Sequence, residues 1–284
     1  MTSFLLCLLV VAADPPQQSA RAKELLQGLH LEEGAKWQMY LDAGHKTKAE
    51  LNKKPIYIWT NPTRSGGQNG CVYVWTHQGR PVIIGSIFSH PEQGRRVVCH
   101  EFHSLSTTAL EPQRESAAEK WEPKAGIKLQ PLKSAAAPDS SPTRRLVQMR
   151  SLAREFSGHT IDVNKERWEL RLLSQPLYRY EKPEGDVLDG ALFGFVTSAG
   201  TDPEVVLALE ARKVEGGKVE GGAWFYRAVR FSDSNLYVQH KGKEVWTSIR
   251  DDQNQLHFNP DHTYRLIRDK FMDELPELVA EAPQ

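Results

Sequence analysis

The sequence predicts an α+β fold made of two helix-plus-antiparallel-sheet modules in tandem. Three observations carry that expectation: a helix-period segment precedes a set of alternating strand-like runs, the same order occurs a second time, and a Pro-rich stretch separates the two. Each half alone could bury a helix against just one sheet face, so the halves have reason to pack together or to share a cleft. At 284 residues there is room for one large domain or two small ones.

Residues 1–13 read as a signal peptide rather than a fold element. Phe4 to Val11 is an uncharged apolar run of h-region length, too short to cross a bilayer, and Val11-Ala12-Ala13 supplies the small residues a signal peptidase reads. The n-region, Met1-Thr2-Ser3, lacks the usual Lys or Arg. The expectation is export, to a periplasmic or extracellular setting, with no transmembrane segment once the signal is removed.

The first module is expected over 19–110. Leu25, Leu26, Leu29, Trp37, Tyr40 and Leu41 recur at helical spacing, with an interruption near Gly34 and an end at Gly44. Strand-like runs follow at Pro55–Thr60, Cys71–His77, Val82–Phe88 and Arg96–Ser104, with Asn69-Gly70 and Gln78-Gly79-Arg80-Pro81 as turn signals. Residues 111–142, punctuated by Pro112, Pro123, Pro131, Pro138 and Pro142, read as a linker, from which Trp121, Ile127 and Leu129 could add an edge strand.

The second module is expected over 143–250. Thr143 is a candidate N-cap, Leu146, Met149, Leu152 and Phe156 share a face, and Gly158 is a stop. Strand-like runs then lie at Arg167–Leu173, Pro176–Glu181, Ala191–Thr197, Glu204–Ala211, Trp224–Phe231 and Val245–Ile249. In the C-terminal segment, 251–284, Asn259-Pro260-Asp261 suggests the start of a short helix. An offset of 121 (57 to 178) aligns Leu51, Pro55, Tyr57 and Pro62 with Leu172, Pro176, Tyr178 and Pro183, which suggests an internal duplication. The shorter repeat Val214-Glu215-Gly216-Gly217 and Val219-Glu220-Gly221-Gly222 reads as a lengthened hairpin tip, since no helix or Lys-Ser/Thr follows to make a phosphate cradle.

The phrases Pro176-Leu177-Tyr178-Arg179-Tyr180, Asp189-Gly190-Ala191-Leu192-Phe193, Gly200-Thr201-Asp202-Pro203-Glu204 and Leu209-Glu210-Ala211-Arg212 resemble an uncharacterised family of predicted exported proteins from planctomycete bacteria. The likeness covers the second half well and the first half loosely. It implies a cell-envelope or secreted setting and no assigned reaction.

Composition removes several function classes. Lys+Arg 36 balance Asp+Glu 36, so the basic excess that nucleic-acid binders use to displace counterions is missing. A mean hydropathy of −0.52 excludes a multi-span membrane protein. Gly-x-Ser-x-Gly, Rossmann, P-loop and Cys-x-x-Cys signatures do not occur. Cys71 and Cys99 allow either one disulfide, closing a loop of roughly 28 residues and stabilising by roughly 3–4 kcal/mol, or two buried thiols.

Two constellations remain. In Cys99-His100-Glu101-Phe102-His103, strand alternation puts Cys99, Glu101 and His103 on one face, a candidate metal set that would take zinc, against the alternative of an ordinary sheet surface. Aromatic residues at i, i+2 spacing, above all Tyr57, Trp59, Tyr178 and Tyr180, could line an apolar groove or simply fill a core. The function expected is a non-catalytic exported module binding another protein or a small apolar ligand, with no cofactor. The alternatives are a metal-assisted hydrolase on Cys99, Glu101 and His103, and a structural unit of an envelope assembly.

Overall fold

The computed structural model describes residues 20–115, 120–124, 126, 128–214, 222–250 and 262–276. It opens with α1 (Ala20–Ala35), then β1 (Gln38–Tyr40), β2 (Glu50–Leu51), β3 (Tyr57–Asn61), β4 (Gln68–His77), β5 (Arg80–Glu92), β6 (Arg95–Ser104) and β7 (Glu111–Gln113). β8 (Gln130–Pro131) and α2 (Pro142–Ala153) lead into β9 (Phe156–Ile161), β10 (Arg167–Leu172), β11 (Tyr178–Arg179), β12 (Val187–Val196), β13 (Pro203–Arg212) and β14 (Ala223–Arg230). β15 (Asn235–His240), β16 (Lys243–Ser248) and β17 (Tyr264–Asp273) complete the described elements.

The α+β expectation is overturned. Strands hold 48% of the chain against 12% in helices, and the sheets are antiparallel and curled, which makes a β-rich fold. One sheet runs β17-β6-β5-β4-β2 with β3 also on β4, and the other runs β16-β15-β9-β10-β12-β13-β14-β8 with β11 on β12. The physical reason is coverage: β4, β5, β6, β12, β13 and β14 are buried on both faces, so a helix on one side leaves a second face that a sheet must cover. α1 packs on β4 and β5, and α2 on β12 and β13. Between the sheets, Val72, Val74 and Ile84 of one meet Leu192, Val206 and Ala208 of the other in a shared core.

Several segments enter the sheets that the sequence left outside them. The stretch expected as a linker is packed: β7 pairs with β1, Trp121 is buried and stacks on Phe102, and Leu132 enters the core beneath α2. Phe156, read as the last turn of a helix, begins β9 instead. In the C-terminal segment, β17 joins the sheet of the first half by pairing with β6 from Tyr264↔His103 to Asp273↔Arg95. The signal peptide, Ile127, most of the Gly-rich repeat and Asn259-Pro260-Asp261 lie outside the described residues.

Turn chemistry matches the sequence signals. Gln78-Gly79, Gln93-Gly94 and Lys241-Gly242 each have positive φ at both positions, the two-residue hairpin geometry whose twist suits antiparallel strands.

The two halves repeat one arrangement. A short strand, β3 or β11, pairs with a long one, β4 or β12, and an aromatic ring from within β3 or just after β11 lies across a glycine there. A Cβ on Gly70 would stand 2.4 Å from the Trp59 ring, and one on Gly190 would stand 2.5 Å from the Tyr180 ring. The contacts between halves are reciprocal too. The Glu181 amide donates to Gly79 O at 3.0 Å, and the Thr201 amide donates to Thr60 O at 3.1 Å. Each half therefore docks a loop between its long strands against the other half's short-strand segment, at Thr60 within β3 and at Glu181 two residues after β11.

Candidate ligand-binding site

Where the loops of the two sheets meet, a recess of about 300 Å³ opens. Its apolar wall is Trp59, Phe88, Cys99, Phe231 and Leu266, and its polar wall includes Arg64, Glu101, Asp202, Asp233 and Arg268. Trp59 is held by alternation on β3, which turns it inward while Ile58 stays exposed, and its indole N–H donates to Ser86 Oγ at 3.0 Å.

Glu101 stands on β6 between Ser86 of β5 and Leu266 of β17. The Tyr264 hydroxyl donates to its Oε1 at 2.6 Å. Burial pushes the Glu101 carboxyl up to about 8; the Tyr264 bond works against that rise, and Asp233, Glu204 and Asp202 add to it. At neutral pH this acid is mainly protonated, a neutral hydrogen-bonding group in the recess. Arg230 lies over the Tyr264 ring at 5.7 Å and spends its N–H groups on backbone: Ser232 O and Ser234 O at 2.7 Å each, and Ser248 O at 2.6 Å. A buried guanidinium thus fixes the β14–β15 connector, and with it Ser232 and Asp233 in the lining.

The rim is an ion-pair network tying one half to the other. Arg64, after β3, donates to Asp202 at 2.8 Å and to Glu204 at 3.0 Å, and Asn61 Nδ2 donates to the other Asp202 oxygen at 2.9 Å. Burial raises the Glu204 carboxyl and the Arg64 charge opposes that rise. Arg268 grips Glu92 at 2.8 Å. Deeper between the sheets, Arg80, Arg227 and the Tyr180 hydroxyl converge on the fully buried Glu210 at 3.0, 3.4 and 2.9 Å. Charges placed this way are preorganised, because each is held by a partner from a different element.

The residues expected from sequence divide. Trp59, Cys99 and Glu101 line the recess. Tyr178 and Tyr180 belong to the shared core, and Tyr57 packs against it. The apolar groove is thus filled by the protein's own packing, and the space that remains open has a mixed, polar wall. His103 shares the face of Cys99 and Glu101 but is buried, bonded through Nδ1 to Ser104 O at 2.8 Å, and lowered to about 3 by burial. Those three do not form a metal cluster: among the described residues, the trio whose ligand atoms lie within 4.8 Å of one another is Glu33, His100 and Asp269, on the opposite face of β6. Cys71 and Cys99 are two free, buried thiols rather than a disulfide, because β4 turns Cys71 into the outer core and β6 turns Cys99 into the shared core.

The Glu33, His100 and Asp269 trio does not suit a cation either. Glu33 already accepts from Lys36 at 2.7 Å, Lys270 at 2.6 Å and Arg114 at 2.8 Å, and Arg114 also grips Asp269. The Trp37 indole donates to His100 Nδ1 at 2.9 Å, so the neutral ring carries its proton on Nε2, the atom that faces the two carboxylates. Cationic side chains already compensate both carboxylates, and the imidazole presents an N–H rather than a lone pair, so the trio is a poor metal site.

Sequence reasoning missed Arg64, Asp202, Asp233, Arg268 and Tyr264. Asp202 lies in the phrase Gly200-Thr201-Asp202-Pro203-Glu204, quoted only for its resemblance, and Arg64 follows β3 directly; Asp233, Arg268 and Tyr264 reach the recess from distant segments. No family model matches the chain, and neither a curated protein nor a solved structure shows significant similarity to it. Among the described residues, no helix is long and apolar enough to cross a membrane.

Proposed function

We propose that this is an exported binding protein that holds a small polar, uncharged ligand in the recess between its sheets, without chemistry of its own. The observation that supports this reading is the wall itself: an aromatic floor beside carboxylates and guanidinium groups that are already paired with one another, plus Glu101, whose carboxyl burial pushes up to about 8. Such a wall offers hydrogen bonds and ring faces and spends no unpaired charge, which suits a neutral ligand. The export leader read at residues 1–13 supports the setting.

The test is a thermal-shift and tryptophan-fluorescence screen with neutral sugars, polyamines and dicarboxylates. Neutral compounds are expected to raise the melting temperature and perturb Trp59, and Trp59→Phe is expected to remove the spectral change. A screen in which only charged compounds bind, or in which the response survives Trp59→Phe and Glu101→Gln together, contradicts the proposal.

A further inference from the structure

A second recess of about 550 Å³ adjoins the first and shares two residues with it, Arg64 and Asp233. Three connectors run along both. The β3–β4 loop gives Asn61 and Thr63 to the second recess and Ser65 to the first, with Arg64 between. The β12–β13 loop passes from Thr197 and Ala199 in the second to Asp202 and Pro203 in the first. The β14–β15 connector crosses likewise, from Ser232 through Asp233 to Ser234. With Arg64 and Asp233 in both walls, the three connectors join the two recesses into a trough.

The chemistry of the second recess extends that of the first. The Trp168 ring stands in its wall, oriented by the 3.2 Å bond from its indole N–H to Asp162. Asp162 is also occupied by the amides of Asn164 and Glu166 at 2.9 Å each. Thr197, 3% exposed, has a hydroxyl with no partner, and it belongs to the lining. A buried hydroxyl without a partner is costly unless a ligand or water completes it. Carboxyl groups outnumber guanidinium groups along the trough, which disfavours an anion. Asp162, Asp202 and Glu92 are each already bonded within the protein, which leaves little for a cation to gain.

Resting on the reading that the first recess binds a neutral ligand, we infer that the trough takes a linear neutral oligosaccharide, one part against Trp59 and Phe88 and the next, beyond Arg64, against Trp168 and the Thr197 hydroxyl. Sugar rings present both an apolar face and a ring of hydroxyls, the combination that aromatic walls with fixed hydrogen-bond groups recognise. The length of the trough makes chain length the property read.

The experiment is calorimetric titration of the full chain with gluco-, manno-, galacto- and N-acetylglucosamine series from one to six units, with oligolysine and oligogalacturonate as charged probes. Affinity is expected to rise at least about ten-fold from one unit to three or four in one neutral series and then to level off. Trp168→Ala and Thr197→Val are expected to cut affinity by a factor that grows with ligand length, whereas Trp59→Phe weakens short and long ligands alike. Each variant is checked by its melting temperature, and Thr197→Ser should restore the hydroxyl and the affinity if Thr197→Val is poorly folded. Monosaccharide binding with no gain from length overturns the trough while sparing the first recess. Preference for oligolysine or oligogalacturonate, or no response to any neutral series, overturns the saccharide assignment.

Discussion

Tyr264 donates its 2.6 Å hydrogen bond to Glu101 across 163 residues of chain. It does so from β17, which lies beside β6, so the protonation state of a recess acid depends on a strand that pairs only after the second half has been laid down.

Glu101 should make stability fall with rising pH. Its folded-state value of about 8 lies above its ordinary 4.5, so the folded protein holds a proton that the unfolded chain has released. The contribution is fully present below about 4.5 and is lost as pH rises through about 8. Glu101→Gln should flatten that slope in urea denaturation across this window. A slope unchanged by the substitution would show that Glu101 is ionised in the fold.

Three buried histidines should act with the opposite sign. Burial lowers His30 and His103 to about 3 and His100 to about 4, well under the ordinary 6.5. Their contribution is present above about 6.5 and disappears as pH falls toward 4 and 3, because the unfolded chain takes up the protons first. Between 4.5 and 6.5 the Glu101 and histidine slopes oppose each other; below 4.5 the histidines are unopposed, and the protein should unfold steeply in acid. NMR titration of the imidazole signals checks this, and His103→Asn should shallow the acid limb.

Arg64→Ala should destabilise by about 2 kcal/mol, a buried-pair cost discounted because the Arg64 side chain is 42% exposed. The loss comes from leaving buried Glu204 without its counter-charge, so Glu204→Gln in the same chain should recover part of it. A double variant no better than Arg64→Ala would show that the pair is not coupled.

Gly79→Ala should cost at least about 2 kcal/mol. Gly79 has φ +71°, and a Cβ there would sit 2.0 Å from Glu181 O, backbone that cannot swing aside. Gly94→Ala, at φ +75° but with nothing within 4 Å of the added Cβ, carries the conformational strain alone. Melting temperatures of the two variants separate the docking clash from the strain, and equal losses would refute the inter-half contact.

Cys71 and Cys99 should resist thiol reagents until the chain unfolds. Burial raises them to about 11 and about 12, so almost no thiolate exists at neutral pH. Mass spectrometry should find no two-hydrogen gain on reduction, and both thiols should label in guanidinium chloride.

What the sequence disclosed follows the reach of its signals. Strands with local turn chemistry, such as β4 and β5 around Gln78-Gly79, were legible, as was the presence of both helices, but α1 stops at Ala35 and Tyr40, expected on that helix, lies in β1 because tertiary pairing with β7 overrides the local spacing. β17 was hidden because Arg265, Arg268, Asp269 and Lys270 mask its alternation; two of them, Asp269 and Lys270, are polar because they meet Arg114 and Glu33. The β-rich class was missed because a strand buried on both faces gives a continuous apolar run, which does not say whether helix or sheet lies on top. Trp59 and Glu101 could be nominated singly, but their meeting with Asp202 and Tyr264 depends on contacts over more than a hundred residues.

The position of β17 sets an order of assembly. Until residues 264–273 arrive, β6 has an open edge and Glu101 lacks its hydrogen-bond donor, so the first-made half of the chain has to wait, unfinished, for the last described strand. The recess is therefore a late product of folding, because its buried acid acquires its donor only when the edge of the first sheet is closed.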